Sequence, residues 1–284
     1  MLETQTILEY NLDAYKAILG EDIKEDIYRE FYRAYGVVDE NEKAVGAMVY
    51  ELCDAEDEDE NIKSKIRFLK ADSDEALDAL QNVYRDEGVY GDQITASSYW
   101  LEDEKSALSC ERAEFSKEQK ENETIFITLQ DAANISYVAR KKKIPDYILS
   151  IDDISIAQFH HAIKDSLFSG RKGIVEDLGY LEKEWFENTI SACTITDDKV
   201  SGLFLLRLMP SGIIEPILLV AWGPDSNKHL AYMIAYSIQT ASEIYPLTTK
   251  IKISRTRDEI IALVDKLLPG AKGDIAYFGS RKEE

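Results

Sequence analysis

Arg255 and Arg257 flank Thr256 just ahead of Asp258, where a helical spacing of apolar residues begins. In an extended backbone alternate residues share a face, so the two guanidinium groups stand side by side and suit a carboxylate or phosphate. A second basic element, Ser169-Gly170-Arg171-Lys172-Gly173, offers Arg171 and Lys172 from a glycine-flanked loop as substrate or anion contacts. For both, ordinary ion pairing on an acid-rich chain is the alternative. The other reactive side chains lack the spacing that chemistry needs. His160 and His161 are adjacent on a helix, roughly 100° apart, and cannot chelate one metal together. His229 sits near a helix start, and no Cys/His spacing suggests zinc, so no metal is expected. Cys110 lies beside Glu111, whose charge opposes a thiolate. There is no Gly-x-Ser-x-Gly elbow and no phosphate-binding P-loop.

The elements that would position these residues come from a chain of 284 residues with a formal net charge of −21. That length suits one large domain or two smaller ones, and 45% hydrophobic residues suffice for a core in each. The acidic surplus repels nucleic-acid phosphates, so nucleic-acid binding is excluded as the main activity. It favours a cationic partner or substrate instead, and the run Asp54 to Glu60 reads as a solvated acidic loop. Cys53, Cys110 and Cys193 form no disulfide framework, and Met1 to Gln5 do not open a signal peptide. The apolar stretch Ile213 to Trp222 is too short to span a bilayer. A cytoplasmic protein without membrane association is expected.

The sequence reads as two similar halves. Lys43-x-x-Gly46 and Lys199-x-x-Gly202 are offset equally, 199 − 43 = 202 − 46 = 156 residues, and each joins a strand and turn to a further strand. Each half continues with another strand, Ile66 to Leu69 or Ile217 to Trp222. A helix follows, with apolar residues at Leu77, Leu80, Val83 and Tyr84, or at Leu230, Met233, Ile234, Ile238 and Ala241. A strand, a helix and a final strand complete the second half at 250–254, 258–268 and 274–278. The first half offers them at 93–100, 102–118 and 124–129. A hairpin through Asp131 to Asn134, ending in a strand at Tyr137 to Ala139, is expected before the basic junction at Arg140 to Lys143. The second half then opens with a strand at Tyr147 to Ile151 and helices at 156–168 and 174–186.

This order of strand, helices, antiparallel meander, helix, strand, helix and strand resembles the fold of the GCN5-related N-acetyltransferases (GNAT). The resemblance implies an α+β chain of two tandem GNAT-like domains, 1–145 and 146–284, each a mixed, mostly antiparallel sheet flanked by helices. It also implies acyl transfer from acetyl-CoA to an amine, with the second half as the active unit. In that family the pyrophosphate rests on N–H groups at the start of the helix after the fourth strand, here Trp222, Gly223, Ser226, Asn227 and Lys228. Glu215, at the start of the fourth strand, matches the carboxylate that helps to deprotonate the amine. Tyr277, on the last strand, is the tyrosine nearest the place of the family's general acid. The family's glycine-rich loop is reduced to Gly223 here; Pro224 lacks an N–H and Asp225 adds negative charge. The first half has Lys70-Ala71-Asp72-Ser73-Asp74-Glu75, without glycine. Both helix starts are therefore expected to be capped by their own side chains, each cap worth roughly 1 kcal/mol over alanine.

Two functions follow from this reading. One is an acyl-CoA N-acyltransferase-like protein taking a small-molecule amine or other cationic acceptor, with Arg171, Lys172, Arg255 and Arg257 orienting substrate or cofactor. The alternative is a non-catalytic GNAT-like pair that acts as a binding or scaffolding module. An acidic mimic of a basic partner is a third class, resting on net charge alone.

Overall fold

The computed structural model describes residues 2–27, 32–52, 62–88, 94–100, 104–140, 143–167, 182–255 and 258–282. Arg171, Lys172 and Arg257 lie outside them, as do the acidic run 54–60 and most of the helix expected over 174–186. The chain forms two compact units, Met1–Glu123 with Ile275–Glu284, and Thr124–Asp274.

In the first unit, β1 (Glu3–Thr6), β2 (Tyr32–Val38), β3 (Ala44–Leu52) and β4 (Ile62–Ala71) run antiparallel in succession. Strand β5 (Ile94–Trp100) lies parallel to β4, and β12 (Asp274–Lys282) lies antiparallel to β5. Helix α1 (Leu12–Asp26), broken at Gly20, packs Leu12, Tyr15 and Leu19 on one face of this sheet. The other face receives α2 (Asp74–Gly88) through Leu77, Leu80 and Tyr84, and α3 (Glu104–Arg112) through Cys110.

The second unit repeats the plan. Strands β7 (Ile148–Ser150), β8 (Ala192–Thr196), β9 (Lys199–Leu208) and β10 (Ile214–Ala221) are antiparallel, and β11 (Lys250–Ser254) is parallel to β10. The part of β6 (Glu118–Thr128) from Thr124 onward is antiparallel to β11. Helix α6 (Ile156–Leu167) buries Phe159, Ala162 and Ile163 on one face. Helices α7 (Ser226–Ile244) and α8 (Asp258–Leu267) cover the other, with Met233, Ile234 and Ala241 of α7 in its core. The architecture is α+β, a mixed and mostly antiparallel sheet with helices on both faces in each unit.

The repeated glycine has a packing reason. A Cβ on Gly46 would lie 3.3 Å from a terminal methyl of Leu80 on α2. A Cβ on Gly202 would lie 3.0 Å from both Ala221 Cβ and Met233 Cε on α7. In both units the missing side chain lets the helix after the fourth strand lie close against the sheet.

Two departures from the sequence reading concern the chain between the repeats. The residues expected to make a hairpin and a strand are helical, as α4 (Leu129–Asn134) and α5 (Ser136–Arg140). Thr128 Oγ1 accepts from the Asp131 N–H at 3.1 Å, and the Asp131 carboxylate accepts from the Thr128 N–H at 2.9 Å. This reciprocal cap starts a helix where β6 ends. These hydrogen bonds, the Thr128 hydroxyl's first, hold the Asp131 carboxyl below the usual range. Second, the compact units do not divide where the repeats do. Residues 124–145 belong with the second unit and 275–284 with the first, so each sheet carries the other repeat's last strand. The helix expected over 102–118 is shorter, as α3, because β6 begins at Glu118.

Candidate functional site

Strands β10 and β11 are parallel but keep register at one pair only, Ile214 with Ile251. The equivalent strands of the first unit, β4 and β5, keep four, from Ile62 with Ile94 to Ile66 with Ser97. Pro216 contributes to the parting, because it has no N–H to give to a ladder, and β10 carries a register shift between Pro216 and Leu218. Beside the gap is a cavity of about 170 Å³, walled by β10, β11, α7 and α8. Leu218 packs with the α6 face of the sheet and Leu219 with the α7 face, yet both line the cavity, so it reaches both sides of β10. The wall is aliphatic almost throughout. Ser237 of α7 is the exception in that helix's contribution, 1% exposed and with a hydroxyl lacking any hydrogen-bond partner.

The chain leaves β10 through Trp222, whose N–H donates to Ser201 O at 2.9 Å and whose side chain packs with the α6 core. Gly223 follows at φ 89°, exposed, with open space where a Cβ would stand. Asp225 occupies the N-cap of α7, yet no first-turn N–H is bonded by its side chain. Its backbone at φ −98°, ψ 16° is not the extended conformation that swings an N-cap side chain back over the first turn. Backbone oxygens provide the hydrogen bonds instead. The Ser226 N–H reaches Gly223 O at 3.3 Å, and the Lys228 and His229 N–H groups reach Asp225 O at 2.9 and 3.0 Å. The expected side-chain cap is absent from α7. Ser226 is half-buried, and Asn227 and Lys228 are exposed.

The first unit differs. Ser73 Oγ accepts from the Ala76 N–H at 3.2 Å, so α2 has the expected cap. Glu75 adds to it: its own backbone N–H, then the Ser73 hydroxyl, lower its carboxyl pKa. Asp72 pairs with Lys105 at 2.6 Å and Asp74 with Arg112 at 3.0 Å. That helix start is occupied by its own neighbours.

Glu215 lies half-buried at the closed end of the β10–β11 gap, next to the Ile214–Ile251 pair and 3.1 Å from Lys252 Nζ on β11. The sequence reading missed Lys252; its signal was the Lys250-Ile251-Lys252-Ile253 alternation, which turns both lysines to one side of β11. Arg255, at the end of β11, donates to Asp265 Oδ1 of α8 at 2.7 Å, leaving a buried Nε without a partner. Ion pairing, the alternative for this arginine, is thus present. Tyr277 is elsewhere, on β12 in the first unit, packed on that unit's core beneath Lys117 Nζ at 4.3 Å from its ring centroid. The structure does not bring it into one unit with Glu215.

Behind the first turn of α7, His229 is buried against Tyr147, ring centroids 5.6 Å apart, and its Nδ1 has no partner. Burial lowers its pKa; Asp225 opposes this and Lys228 reinforces it. Burial, with Asp153 assisting and Lys183 opposing, pushes the Cys193 thiol up to about 12, which disfavours the thiolate. Among the described residues no three His, Cys, Asp or Glu side chains gather in a group suited to a metal. Nor is any described helix long and apolar enough to cross a membrane.

The sequence matches no protein-family model and no curated protein. Solved structures are similar over nearly the whole chain. A tandem GNAT protein from the clavulanic acid biosynthesis pathway aligns over 99% of this chain and 98% of its own, with TM-score 0.64 and 9% identity. The fold is the GNAT fold, in tandem. A GCN5-related N-acetyltransferase from Sphaerobacter thermophilus aligns over 99% of this chain and 95% of its own, with TM-score 0.54 and 8% identity. The GCN5-related glucosamine N-acetyltransferase region of a fungal multi-domain GH3 β-N-acetylglucosaminidase aligns at TM-score 0.56 and 10% identity. This chain spans 38% of that protein. In the second GNAT unit β10 is the fourth strand and α7 the helix after it, so the helix start without a side-chain cap is the one at which the sequence resemblance puts the pyrophosphate.

Proposed function

We propose that the second unit is an N-acyltransferase that moves an acyl group from acyl-CoA to a primary amine. The observation that carries this reading is the parting of β10 and β11 beside an apolar cavity, next to a helix start that no side chain caps. The residues fit the group. The gap suits a pantetheine arm, and the Asn227 N–H with the Lys228 ammonium suits the pyrophosphate. Asp225 puts an opposing charge there.

Bound acyl-CoA would supply a thioester, whose carbonyl carbon takes the amine nitrogen as the C–S bond breaks, and coenzyme A leaves as a thiolate that takes up the proton the new amide nitrogen sheds. An ammonium must lose a proton before its lone pair can attack, and Glu215 is the carboxylate at the closed end of the gap able to accept it. Lys252 holds Glu215 Oε1 in place. A net charge of −21 draws a cationic amine toward the protein and away from neutral or anionic competitors.

Isothermal calorimetry and thermal unfolding with acetyl-CoA, desulfo-CoA and inorganic phosphate test the reading. Saturable binding of the CoA ligands, weakened by Lys228→Glu, is expected. Asp225→Asn should tighten it about two- to fivefold, the usual worth of one charge at a helix start. No binding of either CoA ligand, with phosphate also inert, would overturn the proposal and leave a GNAT pair that serves as a binding module.

A further inference from the structure

The proposed transfer leaves the acyl group itself open, and the cavity beside the gap bears on it. We infer that the protein uses a linear aliphatic acyl group of about six carbons; this rests on the acyl-transfer reading of the second unit.

The first ground is size. At about 170 Å³, the cavity is slightly larger than a dry, aliphatic-walled cavity of about 150 Å³ that admits a six-carbon guest such as benzene. An acetyl methyl would leave most of it empty. The second ground is chemistry. Ile214, Leu218, Leu219, Ile251, Leu263 and Leu267 present methyl groups to the space, which favours hydrocarbon over water. The third is position. The cavity adjoins the gap between β10 and β11, at whose closed end Glu215 and Lys252 lie, so a chain entering it hangs from a carbonyl near the amine.

Ser237 adds a polar anchor. Helix serines ordinarily return their hydroxyl to the carbonyl four residues back, as Ser242 does to Ile238 O at 2.7 Å. The hydroxyl of Ser237, about three turns into α7 and 1% exposed, makes no hydrogen bond. A buried hydroxyl without a partner is costly, and the acyl carbonyl oxygen is the acceptor that a thioester would bring to this wall.

Calorimetric titration of the full chain with acetyl-, butyryl-, hexanoyl- and decanoyl-CoA tests the inference. Affinity should rise about fourfold for each added methylene up to hexanoyl, then stop rising. Ala241→Leu, which fills the cavity from α7, should bring hexanoyl-CoA back to the affinity of acetyl-CoA, and Ser237→Ala should weaken hexanoyl-CoA severalfold. Equal, measurable affinities for acetyl- and hexanoyl-CoA would overturn the inference and leave the transfer reading standing. N-propylhexanamide, which carries chain and carbonyl without CoA, is the second probe, read by thermal shift of the wild-type chain. Binding of this amide that Ala241→Leu abolishes supports the acyl-chain cavity even where every CoA ester fails, an outcome that overturns the transfer reading alone. Failure of both the amide and the esters overturns the inference with it.

Discussion

Helices α2 and α7 hold the same place in the two units and begin from similar residues, Asp72-Ser73-Asp74 and Asp225-Ser226-Asn227, yet their first turns are bonded differently. At α2 the Ser73 hydroxyl closes on the Ala76 N–H, while Lys105 and Arg112 neutralise Asp72 and Asp74. At α7 the residue at the cap is an aspartate whose backbone is not extended and whose carboxylate bonds none of the first-turn N–H groups. The strands beside these helices differ in the same sense, four register pairs against one. One copy has closed its gap and its helix start; the other has kept both open. Residue type alone does not decide a cap, because the N-cap dihedral angles select which atoms meet.

The largest effect that the proposed transfer predicts between the two units is catalytic. Glu215→Gln should lower the rate of acyl transfer roughly a hundredfold or more while CoA-ester affinity is held, measured as kcat beside the dissociation constant. A wild-type rate in that variant would remove Glu215 from the reaction. Next comes packing. Gly202→Ala pushes a Cβ to 3.0 Å from Ala221 and Met233, an overpacking expected to cost about 1–3 kcal/mol in urea unfolding. Gly46→Ala meets the mobile end of Leu80 at 3.3 Å and should cost less. Equal losses would mean that the two helices are not held to their sheets at different tightness.

A finer probe is capping. Ser73→Ala should destabilise the protein by about 1 kcal/mol, whereas Asp225→Ala, which breaks no cap hydrogen bond, should leave unfolding unchanged. A comparable loss at Asp225 would show that α7 is capped in solution after all. The smallest effect is titration. Because burial lowers the His229 pKa, the unfolded chain takes up the proton first as pH falls. The stability from neutral His229 is complete above about 6.5, the ordinary value, and is lost as pH drops through the folded-state pKa. Thermal unfolding between about pH 7 and pH 5 should therefore flatten in His229→Gln, and an unaltered slope would assign the acid sensitivity to other groups.

Much of the architecture was legible in the sequence. Paired Lys-x-x-Gly segments marked equivalent strands, and the three-and-four spacing of Leu230, Met233, Ile234, Ile238 and Ala241 marked the helix they receive. What the sequence concealed was set by geometry. Asp225 looks like a cap until its dihedral angles are known. Tyr137 to Ala139 read as a strand because β-branched and aromatic residues favour one, but the Thr128–Asp131 cap upstream had already committed the chain to helices. Which sheet receives each final strand is a long-range choice that no local pattern encodes. Ser237 is an ordinary helix serine in sequence; only the empty space beside it and its unpaired hydroxyl make it a candidate.

The traded end strands also bear on how the chain matures. The first unit's sheet is finished by β12, and there the Ser280 N–H meets Ser116 Oγ at 2.9 Å and Arg281 donates to Gln81 and to Ala113 O, both at 2.6 Å. These partners are separated by 164, 200 and 168 positions. While the polypeptide is being translated, strands β1 to β5 must wait with an unfinished sheet edge until residues 274–282 are made. Such a dependence slows acquisition of the native state and leaves that edge accessible to chaperones in the interval.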